Sequence, residues 1–291
     1  IDFLDTVKPD ALPKDIDAAY YLIHSMSSST SDFDEKEERA VKNFNTYLEP
    51  TNCKQVIYVG GIANEQSLSK HLWSRKNVEN ILYQGSAAVT VLRAAIIVGS
   101  GSASFEIIRD LCEKLPLMVT PRWVKTKCQP IAIRDVLNYL TGVLGNKECY
   151  NESFDIGGPD VLSYREMMEG YARFRKLNLT IITLPFLSPK ISSYWLYFVT
   201  STSYKLALNL VDSMRIEVIT SDTRLKDILK IESISYQKAI ELAFKKIKQN
   251  QVVSSWKDSM ISGRFRSDLK KYVEVPINGC VQDKQSIVLK N

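Results

Sequence analysis

Apolar residues in this chain fall into short continuous runs separated by longer stretches of helical spacing. The first run is Ala18-Ala19-Tyr20-Tyr21-Leu22-Ile23, ending at His24-Ser25-Met26. Val56-Ile57-Tyr58-Val59 is the second and stops at Gly60-Gly61, and Val89 to Ile97 is the third, leading into Gly99-Ser100-Gly101-Ser102. Continuous rather than alternating apolarity predicts strands covered on both faces, as in a parallel sheet. Between the runs the period changes. A helix is expected from about Asp34, with Asp32 or Asp34 as N-cap and Asp34, Glu35, Glu37 and Glu38 complementing the helix dipole. A second begins near Ser67 or Ser69, where Leu68, Leu72, Arg75 and Leu82 recur at helical spacing and His71 and Arg75 share a face. A third, Ala103 to Leu115, carries Phe105, Ile108, Leu111 and Cys112 on one side. Strands alternating with helices, without hairpin signals, predict an α/β fold with right-handed parallel crossovers.

Beyond Pro116 the elements shorten. Leu117 to Val119 reads as a strand, and Ile131-Ala132-Ile133 leads into a helix from Arg134 to Leu144. Phe154-Asp155-Ile156 ends at the turn Gly157-Gly158-Pro159, and Ser163 caps a helix over Tyr164 to Arg175. Thr180 to Leu184 is one more strand, followed by helices broken at Pro185 and Pro189. Ser235 caps a helix from Tyr236 to Lys248, and Gln251 to Asn291 is too polar for a domain of its own.

Composition narrows the function classes. The 291 residues are 45% hydrophobic and 24% charged, a globular balance. The net charge of +5 is mild, and no concentrated basic face with aromatic context points to nucleic acid. The Lys245-Lys246-Ile247-Lys248 run ends an amphipathic helix and reads as a solvated terminus. Five scattered cysteines without a CxxC pair are expected in a reduced, cytoplasmic setting. No apolar run approaches the roughly 20 residues of an integral membrane segment.

Chemistry concentrates at the ends of the strands, where open α/β sheets bind ligands. Both histidines fall there, His24 ending the first run and His71 opening the helix after Gly60-Gly61. The glycine pair lets backbone approach a ligand, and it is equally an ordinary turn. The Gly99 to Ser102 turn lacks a P-loop lysine and reads as a plain turn. No G-x-G-x-x-G, no G-x-S-x-G elbow and no spacing for a metal site is present.

Six segments, in this order and spacing, resemble an atypical subgroup of the extended short-chain dehydrogenase/reductases, the NAD(P)H-binding, NmrA-like and epimerase-like group. They are Ala18 to Met26, Ile57 to Ile62, Leu68 to Leu82, Leu92 to Glu106, Pro121 to Val136 and Phe154 to Met168. The resemblance spans about Ile1 to Trp256. It implies a Rossmann-like, doubly wound parallel sheet whose first β-α-β portion is missing, together with a smaller, mostly helical C-terminal substrate region. Residues 1–160 would be the NAD(P)-binding domain, 161–250 the substrate side, and 251–291 a tail or linker to an absent partner domain. Roughly 50 residues, including the pyrophosphate loop, would precede Ile1. The implied cofactor is NADP or NAD. Its contacts would be Leu22, Ile23, His24, Ser25, Gly60, Gly61, Ala94, Ala95, Ile96 and Ile97, with Gln129 to Ile133, Tyr194 and Trp195 facing a small-molecule substrate.

This sequence departs from the family at its catalytic pair, Tyr-x-x-x-Lys. His71 and Arg75 stand at those positions, and none of the fourteen tyrosines has a lysine four residues on. Histidine can shuttle a proton near neutral pH, whereas arginine can orient ribose hydroxyls but not exchange a proton. Two expectations follow: an oxidoreductase using His71 and Arg75, or a regulatory protein that binds NADP without turnover.

Overall fold

The continuous runs become strands and the periodic stretches become helices, in alternation. The computed structural model describes residues 1–5, 12–23, 33–62, 70–184 and 214–248. In chain order come β1 (Ala18–Tyr21), α1 (Phe33–Leu48), β2 (Gln55–Gly61), α2 (Lys70–Leu82), β3 (Ala88–Ala94) and β4 (Ile97–Val98). Then follow α3 (Ala103–Lys114), β5 (Leu117–Thr120), β6 (Lys127–Cys128), β7 (Ile131–Ala132), α4 (Ile133–Gly142) and β8 (Glu152–Ile156). The described chain ends with β9 (Leu162–Ser163), α5 (Tyr164–Arg175), β10 (Thr180–Thr183), α6 (Arg224–Leu229) and α7 (Tyr236–Lys248). Residues Ile1–Ser255 cluster as one compact unit; Trp256–Asn291 form a second that lies outside the described residues, as do Pro185 and Pro189.

The main sheet has the order β1-β2-β3-β8, and every pairing in it is parallel. Its two faces separate residue by residue along each strand, as the two-residue period requires. Val56, Tyr58, Val89 and Val91 face α1 and α2, where they meet Val41, Phe44, Val78 and Ile81. Ile57, Leu92, Phe154 and Ile156 face the other way and pack with Val136, Tyr139 and Leu225 from α4 and α6. The sheet is thus doubly wound, with helices on both sides. A third core gathers α3, α5 and α7 around Phe105, Tyr171, Ile240 and Phe244.

Three boundaries differ from the sequence expectation. Gly60 and Gly61 do not turn the chain but extend β2, paired in register with Arg93 and Ala94. Extended backbone there keeps its ladder bonds, and the missing side chains make room: a Cβ on Gly61 would lie 3.2 Å from Leu72 Cδ2. The third apolar run breaks after Ala94. The Ala95 N–H still donates to Ile156, but Ile96 accepts from Ile131, and Ile97–Val98 pair with Ile131–Ala132 in a separate small sheet. β1 stops at Tyr21, leaving Leu22 and Ile23 exposed.

Two of the caps read from sequence are present; of the Asp32 or Asp34 alternative, Asp34 lies inside α1 and Asp32 lies outside the described residues. Ser163 closes a reciprocal capping box with Glu166, and Ser235 Oγ accepts from the Lys238 N–H. The Gly99 to Ser102 turn is a plain one. Ser102 caps α3, and the Gly101 N–H is taken by the carboxylate of Glu106, so the chain supplies its own anion at this helix start.

Gln55 bolts the sheet to α4. It is fully buried, donates through Nε2 to Thr90 Oγ1 (2.8 Å) and the Val143 carbonyl (2.9 Å), and accepts from the Gly145 N–H (2.7 Å). A leucine would fill the volume and strand those partners. Gln55→Leu is expected to lower unfolding free energy by about 3 kcal/mol, read from urea denaturation midpoints.

Candidate functional site

The carboxyl ends of β2 and β3 lie side by side, and α2 crosses above them. Arg93, near the end of β3, shares the α2-facing side of the strand with Val89 and Val91. Its guanidinium reaches Glu79 on α2, with Nη2 to Oε1 at 2.7 Å and Nε to Oε2 at 3.2 Å. Lys76, one turn earlier, adds a contact to Oε1 at 2.5 Å. The Glu79 side chain is only 5% exposed, so this is a buried carboxylate with two cations on it. Burial pushes its pKa up, yet the bonds from Arg93 and Lys76 outweigh burial and hold it below the ordinary glutamate value. The same bond raises the Arg93 pKa.

Arg75 sits one turn before Glu79 on the same helix face. Gly60, Gly61, Arg75, Lys76, Glu79 and Arg93 line a cavity of about 60 Å³. Gly61 leaves the Arg75 stem its place, since a Cβ there would lie 3.7 Å from Arg75 Cδ. Arg75 is poorly satisfied: Nη1 makes one long bond to the Val59 carbonyl (3.4 Å), and Nε is buried with no partner. The Tyr58 hydroxyl donates to the Arg75 carbonyl at 3.3 Å, and burial keeps its pKa well above the ordinary tyrosine value.

The structure thus brings Gly60, Gly61 and Arg75 together, and Ala94 pairs beside Gly61. Leu22 and Ile23 end the neighbouring strand with exposed side chains. Ala94 and Ala95 are each 7% exposed and contribute backbone more than side chain. His71 lies in the first turn of α2, but its side chain is outside the described residues, as are His24, Ser25, Tyr194 and Trp195. Lys76, Glu79 and Arg93 escaped the sequence reading. The i, i+4 relation of Arg75 and Glu79 was visible, but their meeting with Arg93 depends on strand register.

Two of the expected substrate contacts, Ile131 and Gln129, are described at the other end of the edge. Ile131 is fully buried between the sheet and α4, because its pairing with Ile97 turns it into the core; it faces no substrate. Gln129 spends its amide on structure, donating to the Gly158 carbonyl (2.6 Å) and accepting from the Thr220 N–H (3.0 Å) and hydroxyl (2.8 Å). Gly158 approaches this strand so closely that a Cβ would sit 2.1 Å from the Pro130 carbonyl oxygen. Gln129 also lines a larger, polar cavity of about 340 Å³, together with Asp155, Gly157, Asp222, Thr223 and Lys226 among others.

Burial pushes the Cys112 and Cys128 thiols up to about 12, so neither is a thiolate at neutral pH. Among the described residues no group of three His, Cys, Asp or Glu is placed to hold a metal ion, and no helix is long and apolar enough to cross a membrane.

The Glu79 pair generates a pH prediction. A carboxylate held below its unfolded value of about 4.3 stabilises fully above that pH and loses its contribution as pH falls through the lower folded value. Glu79→Gln is expected to cost about 3 kcal/mol at pH 7 by leaving Arg93 buried without its partner. The gap in melting temperature between the two proteins should close towards pH 3. A gap that stays constant down to pH 3 would remove charge from the explanation.

No protein-family model and no curated protein matches the chain. Solved structures do. A UDP-glucuronic acid 4-epimerase from Bacillus cereus in complex with NAD superposes with a TM-score of 0.63 at 14% identity, over 86% of this chain and 80% of that one. The structure of RMD from Pseudomonas aeruginosa complexed with NADPH gives 0.62 at 13% identity, over 86% and 87%. A nucleoside-diphosphate-sugar epimerase from Staphylococcus aureus gives 0.60 at 11%, over 77% and 76%. At such identities the likeness is one of fold. What this chain shares with these solved structures is the α/β fold.

Proposed function

We propose that the chain binds NAD or NADP along the carboxyl edge of β1, β2 and β3 and acts there as an oxidoreductase- or epimerase-like protein on a small molecule. The observation that carries this reading is Arg75, a half-buried cation beside two side-chain-free residues, with an Nε that no protein group satisfies. Solved structures of the same fold were determined with NAD or NADPH bound, which supports the choice of cofactor.

The described residues fit part of such a cofactor. Arg75 offers planar donors to ribose hydroxyls or a phosphate, and Gly60 and Gly61 leave the strand end open to close approach. A nicotinamide supplies hydride transfer when bound. The chain has to supply orientation and a proton. Arg75 cannot exchange one, Tyr58 is held neutral by burial, and Glu79 is held ionised by its cations. That leaves His71, whose imidazole is suited to donate or accept a proton near neutral pH. Residues 161–250 would form the substrate side. The cysteines Cys53, Cys112, Cys128 and Cys149 are free, which supports a reducing, cytoplasmic setting.

The same inventory favours a second reading. With no described acid or base at this edge titrating near neutrality, the chain would bind NADP as an NmrA-like sensor and turn nothing over.

Fluorescence titration with NADPH and NADH separates these readings from no binding at all. Saturable quenching or energy transfer from tryptophan is expected for at least one of them. His71→Ala is expected to abolish hydride transfer, followed at the near-ultraviolet absorbance of the reduced cofactor, while leaving its affinity unchanged. Unchanged turnover would remove His71 from the chemistry, and absence of binding to folded protein would remove the cofactor.

A further inference from the structure

At the end of β2 and β3, three cations surround one carboxylate. Arg75, Lys76 and Arg93 line the 60 Å³ cavity with Glu79, leaving two positive charges in excess. Glu79 is fully committed, its Oε1 to Lys76 and Arg93 and its Oε2 to Arg93. None of it reaches Arg75. Of the five guanidinium N–H donors, one makes a 3.4 Å contact and the Nε donor is buried with no acceptor.

An orphaned buried donor is rare and costly in a folded protein. Among the described residues the only other unpartnered buried side-chain atom is the Trp123 indole nitrogen. A cavity of this size holds a few waters or one compact anionic group, and no ring. The walls on the β2 side are glycines, so nothing bulky separates the cations from what enters. Arginine is matched to carboxylate and phosphate by its flat fork of donors, and Lys76, with its side chain 40% exposed, can add a point charge at the rim.

We propose that this recess binds one carboxylate or phosphate group of the small molecule on which the protein acts, so that its substrate is an anion. Identifying the anion as substrate rests on reading this edge as the cofactor and substrate site; the recess as an anion site does not. Arg93, locked by Glu79, forms the fixed wall. Arg75 has donors for both ligands: its buried Nε faces the anion, and its remaining Nη donors are left for a cofactor ribose.

The test is a titration with inorganic phosphate at constant ionic strength, with chloride as the control, followed by melting temperature and calorimetry with and without saturating NADPH. Saturable stabilisation by phosphate beyond that of chloride is expected. Arg75→Met should melt at the same or a higher temperature without phosphate, because it removes an unsatisfied buried donor, yet bind phosphate about tenfold more weakly. Lys76→Met, at the exposed rim, should weaken binding by a few-fold. Phosphate that binds alongside NADPH supports the substrate assignment. Phosphate displaced by NADPH gives the recess to the cofactor's own phosphates and overturns that assignment. No saturation beyond chloride, or unchanged binding in both variants, overturns the anion site. Phosphate binding in a protein that ignores NADPH keeps the anion site but sinks the cofactor reading, and with it the identification of the anion as substrate.

Discussion

The buried carboxylate of Glu79 holds α2 to the sheet through Arg93, and the geometry of the candidate site depends on it. A carboxylate this buried is stable only when its charge is met at close range, and Arg93 supplies two of its bonds in a fork. That fork fixes the rotation of α2 about its own axis. Once Glu79 points down at β3, the residue one turn earlier on the same face must point at the end of β2. That residue is Arg75, and the strand end it meets is Gly60-Gly61. Ser74, which donates to Glu37 of α1, steadies the helix from its other flank.

The level at which each feature is encoded explains how much of it the sequence disclosed. Continuous apolar runs such as Val56 to Val59 announce parallel strands because both their faces are covered, and Ser163 or Ser235 announce helix starts because their hydroxyls satisfy local N–H groups. These are signals within a few residues. Whether Gly60-Gly61 turns or extends is decided by register with Arg93 and Ala94, a partner more than a helix away. The core location of Ile131 was hidden for the same reason, since its pairing with Ile97 forms only after the chain has left the main sheet. The candidate site was half legible. Arg75 and the glycines stood out by type and place, whereas Lys76, Glu79 and Arg93 look in sequence like ordinary surface charges.

An arginine at position 75, where a lysine could also stand, sets what the helix face can do. An ammonium is a compact charge that adapts to several geometries, whereas a guanidinium demands acceptors in its plane. Within the described residues the plane of Arg75 has no adequate acceptor, and the nearby Tyr58 hydroxyl is already turned to the Arg75 carbonyl. Under the proposed function, Arg75 recognises and orients. Under the same reading the proton is left to His71.

Every pairing in the main sheet is parallel, and each joins strands separated by at least one whole helix, which bears on how the chain folds. No hairpin can nucleate this sheet. β3 must wait for β8, which is made only after α3, α4 and the small strands between them. Until then the apolar face of Leu92 and the polar pair Gln55 and Thr90 have no cover. Topologies of this kind fold slowly and expose unpaired strands on the way. A newly made chain that has passed β3 but not yet reached β8 is thus the form most exposed to aggregation, and chaperone demand should peak there rather than at the finished protein.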